Sequence, residues 1–179
     1  MVISGPSGSG KTTIIHRILH GHDIDFSVSA TTRLARPDET HGVDYWFLTV
    51  EEFLSLRDAG ELLEWAEYNG RFYGTPTRPI EEAIEAGRDI LLDIELVGAR
   101  QVREQRPEAL MIFIAAPSLA DLEARLRGRG DTSEEDIRGR LAIAAGQIVE
   151  AKELFDHVVI NRDLDEATEE VANLIIGSR

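Results

Sequence analysis

Dense apolar runs alternate along this chain with stretches in which apolar residues recur every three or four positions. "MVIS" (1–4), "DILLDIE" (89–95), "LMIFIAA" (110–116) and "HVVI" (157–160) read as strands, the longer ones apolar enough to be covered on both faces. "KTTIIHRILH" (11–20) reads as a helix. Leu119, Leu122 and Leu126 are spaced for one helix face, and Leu164, Ala167, Val171, Leu174 and Ile175 for another. Ser118 to Asp121, just after Pro117, has the form of a capping box that starts the first of these helices. Strand and helix in alternation predict an α/β fold built on a parallel sheet.

Residues 31–85 break that rhythm. "GVDYWFLT" (42–49) is followed by "TVEEFLSL" (49–56) with its own capping box, and then by "ELLEWAEYNGRFYGT" (61–75). The Asn69-Gly70 pair between aromatic-rich runs is a strong hairpin signal, so antiparallel strands are expected there. A single domain follows, with a core of 1–30, 86–123 and 143–179, an inserted mixed α/β subdomain of 31–85, and a small lid of 124–142. Within the lid, "RGRGDTSEEDIRGRL" (127–141) is the most polar internal segment, and Thr132 to Asp136 resembles a helix start. It reads either as a solvated connection or as a mobile, arginine-bearing cover of the kind that excludes water from nucleotide sites.

Composition narrows the function. With 42% hydrophobic residues the chain can bury a real core, and no apolar run is long enough to span a membrane. No signal peptide is expected, and the absence of cysteine rules out disulfides and thiolate metal sites and suits a reducing cytoplasm. A net charge of −14 argues against general binding of nucleic acid or anionic membranes. Any phosphate ligand must therefore meet locally gathered cations. The clusters are Arg33 with Arg36, Arg125 with Arg127 and Arg129, and Arg138 with Arg140. His16 and His20 have a spacing metals can use, but no third ligand accompanies them and they read as surface residues. Trp46 and Trp65 read as packing residues.

The chemistry begins with Gly5-Pro6-Ser7-Gly8-Ser9-Gly10-Lys11-Thr12-Thr13, a complete G-x-x-x-x-G-K-[ST] loop between a strand and a helix. Its glycines let successive N–H groups face one concavity, and the helix N-terminus adds partial positive charge. Lys11 should reach the β- and γ-phosphates of a nucleotide, and Thr12 should contact Mg²⁺. An ATPase, a GTPase, a kinase or an ATP-dependent ligase would all fit. A GTPase fits least well, because the nearest base-reading candidate, "NRDLD" (161–165), has the wrong order. A kinase needs a second site. "SATTRLAR" (29–36) supplies Arg33 and Arg36, whose forked guanidinium groups suit a monophosphate, and Tyr45 and Tyr73 could add hydroxyls. Glu64, beside Trp65, is a carboxylate in an apolar stretch, and strand alternation alone turns it outward.

Together, "SGPSGSGKTT", "SATTRLARPDETHGVDYWF", "GELLEWAEYNGRFYGT", "GRDILLDIELVGARQV", "LRGRGDTSEEDIRGRL" and "VVINRDLDEA" resemble the guanylate kinase family across essentially the whole chain. The resemblance implies transfer of the γ-phosphoryl group of ATP to GMP, and to dGMP, giving ADP and GDP with Mg²⁺ in purine nucleotide metabolism. It implies that Arg33, Arg36, Tyr45 and Tyr73 hold the GMP phosphate while Ser29, Glu64 and Thr75 face guanine. Asp93 and Glu95 would lie near GMP, with Asp93 close to the metal without binding it directly. Arg125 and Arg129 would contact ATP, Asn161 would lie near adenine, and Arg140 would reach the GMP side. Lys11, Arg129 and Arg140 would act on the transferring phosphoryl group. Guanine offers N1–H and a 2-amino group on one edge, and a carboxylate accepts both; adenine offers a bare lone pair there. The inserted subdomain and the lid are expected to close toward each other over both substrates.

The chain departs from the family pattern at four places. Glu95-Leu96-Val97-Gly98 stands where aspartate, any residue, glutamine and glycine are usual. Thr75 replaces a common serine, Arg162 follows Asn161 where an acidic residue is usual, and the first strand is short. Two other readings keep parts of the pattern: a kinase for another nucleoside monophosphate or small phosphorylated molecule, and a non-catalytic module that grips a phosphorylated peptide. The intact phosphate loop argues against the second.

Overall fold

The computed structural model describes residues 1–128 and 133–178. In chain order the first elements are β1 (Val2–Ser4), α1 (Lys11–Gly21), β2 (Asp25–Phe26), β3 (Ala30–Thr31), β4 (Trp46–Phe47), α2 (Val50–Asp58), β5 (Leu62–Tyr68) and β6 (Arg71–Pro76). Then come α3 (Thr77–Glu85), β7 (Ile90–Asp93), α4 (Leu96–Gln105), β8 (Met111–Ala115), α5 (Leu119–Gly128), α6 (Glu134–Leu154), β9 (His157–Ile160) and α7 (Leu164–Gly177). They pack as two compact units, Met1–Asp23 with Ile94–Leu96 and Leu110–Arg179, and Ile24–Asp93 with Val97–Ala109. The α/β class expected from the alternating runs is the class observed.

In the first unit β1, β8 and β9 lie side by side and parallel, with Val2 opposite Met111 and Phe113 opposite Val158. Ile3, Met111, Ile112, Phe113 and Ile114 are fully buried, which is why β1 and β8 read as unbroken apolar runs rather than as alternation, whereas in β9 only Val159 is buried. Helix α1 turns Ile14, Ile15 and Ile18 inward and packs against α7, which buries Ala167, Val171 and Ile175. Leu122 and Leu126 of α5 join Ile137 and Ala144 of α6 in a second apolar cluster, whereas Leu119, the first residue of α5, stays exposed. Side chains cap these helices: Ser133 accepts from Asp136 N–H, Asp163 from the N–H groups of Asp165 and Glu166, and Ser118 from Asp121 N–H.

In the second unit β2 and β7 pair in parallel, and a four-stranded sheet runs in the order β4-β3-β6-β5. That sheet is mixed rather than purely antiparallel, because β3 runs parallel to β4. Asn69 and Gly70 both have positive φ, 49° and 69°, so the β5–β6 hairpin closes with the two left-handed residues that a two-residue turn demands. Thr49 and Glu52 form the reciprocal capping box at the start of α2. Phe53 of α2 is fully buried, where Ala30, Leu62, Trp65 and Phe72 meet it. Helix α3 carries a short apolar stripe of Ile80, Ala83 and Ile84, of which Ile80 and Ala83 are buried, and a proline falls in its first turn, where no N–H partner is lost.

Strand β5 carries a bulge between Leu62 and Glu64, and Leu62, Leu63 and Glu64 are all buried. The bulge lets Leu62 and Trp65 share one face, against Phe53, while Glu64 points to the other. No helix among the described residues is long and apolar enough to cross a membrane.

Candidate active-site residues

Strand β1 leads into the glycine loop, in which Gly5, Pro6 and Ser9 are buried and Ser7 is exposed. Ser9 N–H donates to the Pro6 carbonyl at 3.1 Å, closing the turn. Gly10 caps α1 with φ at 92°, a left-handed conformation that side chains disfavour. The space beside it is also taken, since a Cβ there would fall 2.2 Å from Asn161 Nδ2. Among the described residues no side chain caps α1, and its first turn holds no acidic residue, so the partial positive charge of its N-terminus is not offset there. Lys11 is half-buried at that end, and Thr12 and Thr13 are exposed on the first turn.

The loop is tied down from the far end of the chain. Asn161, just after β9 and only 4% exposed, donates Nδ2–H to the Ser9 carbonyl at 2.7 Å. Arg125 of α5 donates to the same carbonyl at 3.3 Å and to the Asn161 carbonyl at 2.8 Å. Arg140 of α6 donates to Ser7 Oγ at 3.2 Å. Two of the cations expected to meet phosphates, together with Asn161, therefore contact the loop itself. Arg129 lies outside the described residues. Gly8, Gly10, Thr13, Arg125, Asn161, Arg162 and Asp163 line a cavity of about 370 Å³ beside the loop. Glu95 is exposed.

In the second unit, Arg33 follows β3 and donates both guanidinium nitrogens to the Glu39 carboxylate, each at 2.8 Å. Its guanidinium also lies 5.5 Å from the centre of the Tyr45 ring and 5.7 Å from that of Phe47. Glu39 accepts from Arg36 N–H at 2.8 Å as well, while the Arg36 guanidinium is exposed. The Arg33 fork holds the Glu39 carboxyl down at about 2. Glu39 is absent from the residues that the sequence singles out, although an acid six residues from a phosphate-seeking arginine was the available signal. Tyr45 and Tyr73 meet edge to face with ring centres 6.3 Å apart, and burial raises the Tyr45 phenol above its ordinary range. Ser29, half-buried, receives Trp46 N–H on its carbonyl at 2.8 Å, and Asp93 is half-buried at the end of β7. Trp65 packs in the apolar cluster, while Trp46 remains 38% exposed against His41.

Glu64 corrects the expectation from strand alternation: it lies on the face of β5 opposite Trp65, as alternation has it, but α4 covers that face, with Gly98 directly against the carboxylate, and leaves it 6% exposed. It sits opposite Thr75 on β6, whose hydroxyl is fully buried and donates to Glu64 Oε1 at 2.5 Å. Burial pushes the carboxyl up to about 7 despite that hydrogen bond. No arginine or lysine pairs with it among the described residues. A buried acceptor of this kind, without a cation, suits a ligand that brings its own donors.

A lysine-bearing glycine loop on a helix N-terminus, braced by arginines, defines a P-loop nucleotide-binding protein. The sequence profile of guanylate kinase matches residues 1–177. The guanylate kinase of Synechococcus sp. strain JA-3-3Ab is 49% identical over 176 residues, covering 98% of this chain and 81% of that protein. That of Thermosynechococcus vestitus is 52% identical over 168 residues, covering 93% and 87%. Among solved structures, guanylate kinase from Anaplasma phagocytophilum matches with a TM-score of 0.80 at 35% identity, covering 98% of this chain and 83% of that one. The chain belongs to the guanylate kinase family, enzymes that phosphorylate GMP with ATP as donor.

Proposed function

We propose that the glycine loop and Lys11 hold the triphosphate of ATP, and that the second unit holds GMP, with Arg33, Arg36, Tyr45 and Tyr73 on its phosphate and Ser29, Glu64 and Thr75 on its base. The observation that carries this reading is Glu64: a buried carboxylate whose hydrogen-bond partner is the Thr75 hydroxyl. Guanine would supply two donors to it, whereas adenine would leave it unpaired in a buried site, a loss that can discriminate by about four orders of magnitude. Base and phosphate are the groups read, so dGMP should serve as well as GMP.

Phosphoryl transfer requires the substrates in line and the charge on the equatorial oxygens neutralised. Lys11 and Arg140 supply that charge from the chain, Arg140 from its position on Ser7. In this reading Arg125 and Asn161 keep the loop in shape, while Asp93 and Glu95 act on the GMP and metal side. Mg²⁺ fits the donors here, because Thr12 is an exposed hydroxyl on the first turn of α1 and a magnesium ion takes its remaining oxygens from phosphates and water. When bound it neutralises charge between the β- and γ-phosphates. The GMP phosphate already ionises near neutral pH, so the chain need not provide a strong base. The reaction suits recycling of GMP to GDP in the cytoplasm, where a chain without cysteine is at home.

A coupled assay of ADP release with GMP, dGMP, AMP, CMP and UMP, with and without Mg²⁺, tests the reading. Mg²⁺-dependent release with GMP and dGMP alone is expected. No release with any acceptor would point instead to a module that grips phosphorylated peptides.

A further inference from the structure

Strand β5 is the last in its sheet, so one edge of it has no neighbouring strand. Exposed backbone groups on such an edge need partners. Here side chains of α4 supply them. Gln101 accepts Trp65 N–H at 3.1 Å and donates Nε2–H back to the Trp65 carbonyl at 2.8 Å, much as the backbone of a neighbouring strand would. Gln105, one turn on, donates to the Leu63 carbonyl at 2.7 Å. Leu63 and Trp65 flank Glu64, so the backbone is pinned on both sides of this buried carboxylate.

One turn before Gln101, on the same face of α4, is Gly98. A Cβ built on Gly98 would fall 2.1 Å from Glu64 Oε2 and 2.7 Å from its Cδ. Both are far inside van der Waals contact. The carboxylate therefore rests where any other residue would put a side chain. The atoms in the way are the far end of a flexible side chain rather than backbone, so an added methyl would leave the fold in place and drive the carboxylate from its seat.

We propose that Gly98, Gln101 and Gln105 of α4 form the seat of the guanine-reading carboxylate, with Gly98 as a specificity-determining position and the two glutamines as positioning residues. The inference rests on Glu64 reading guanine. It explains why a glycine and two amides share helical spacing on α4: Oε1 is fixed by Thr75, Oε2 by the space over Gly98, and the strand by the glutamines. In an unseated glutamate the side-chain torsions are free, and guanine would have to order them itself on binding.

The test measures dissociation constants of GMP and IMP, which lacks the 2-amino group, for the full chain and for Gly98→Ala, Gln101→Ala and Glu64→Gln. For Gly98→Ala the thermal midpoint should stay near that of the parent, and the preference for GMP over IMP should fall about tenfold, as expected for misplacing one charge-assisted hydrogen bond. Gln101→Ala should lower the preference about threefold to tenfold. Affinity for ATP should stay within about twofold in both. If Glu64→Gln abolishes the preference while Gly98→Ala folds and keeps it, the seat is refuted and the base reading stands. If Glu64→Gln keeps the preference, the base reading fails and the seat with it. Should Gly98→Ala fail to fold, Gln101→Ala decides, and an unchanged preference there refutes the seat.

Discussion

Thr75 Oγ1 donates a 2.5 Å hydrogen bond to Glu64 Oε1 across the β5–β6 pair, with both side chains out of water. The Glu64 carboxyl is raised by that burial to about 7 from an ordinary 4.5. A raised carboxyl stabilises the free fold fully below about 4.5 and loses that contribution as pH climbs through about 7. Guanine donors pair with the ionised form, so GMP binding should tighten over the same climb and release a proton near pH 6. Calorimetry in buffers of different ionisation enthalpy reads the proton directly. Glu64→Gln should retain only the titration of the GMP phosphate, which lies near 6 on its own. Identical proton release by the two proteins would remove Glu64 from the base site.

Asn161 concerns the donor side. Its amide holds the Ser9 carbonyl at 2.7 Å, and Arg125 reaches the same oxygen only at 3.3 Å. Asn161→Ala should loosen the loop, raise the KM for ATP by about tenfold, and lower stability by about 1–2 kcal/mol. The KM for GMP should stay within about twofold. An unchanged KM for ATP alongside lost stability would reduce Asn161 to a packing role.

For the acceptor phosphate the expected handle is the Arg33 fork, now seen on Glu39 with both contacts at 2.8 Å. A lysine keeps the charge and loses the fork. Arg33→Lys should therefore raise the KM for GMP by about tenfold while sparing ATP. Equal effects on both substrates in steady-state kinetics would contradict this assignment.

Glu39 itself has an acid signature. A carboxyl held at about 2 contributes stability above about 4.5 and loses it as pH falls toward 2. Glu39→Gln should make the thermal midpoint less sensitive to pH between about 4.5 and 2, since the neutral amide has no proton to take up. An unchanged acid slope would show that the pair does not persist in solution.

Features encoded by neighbouring residues are legible in the sequence. The glycine loop, the Thr49–Glu52 capping box and the Asn69-Gly70 turn each depend on contacts within a few positions, and all three appear where the residues put them. Strands β8 and β9 follow from apolar runs alone, although β8 is buried throughout and only Val159 of β9 is. What stays hidden depends on distant partners. The burial of Glu64 comes from α4 lying over its face of the strand, which period-two reading of β5 cannot see. The grip of Asn161 on Ser9 spans 152 residues. Strands β2, β3 and β4 have two residues each, too short for any pattern. Gly98, Gln101 and Gln105 share a helix face, yet nothing on α4 announces that a strand edge lies against it. Helical spacing of a glycine and two amides is the one hint there.

Selection of guanine by the buried Glu64 is tested most directly by steady-state kinetics of Glu64→Gln against the parent, with GMP varied at saturating ATP and then ATP varied at saturating GMP. The expected result is a fall of about a hundredfold in kcat/KM for GMP, with the KM for ATP within about twofold, as for loss of a buried charge-assisted pairing. Wild-type kcat/KM for GMP in the variant would contradict it.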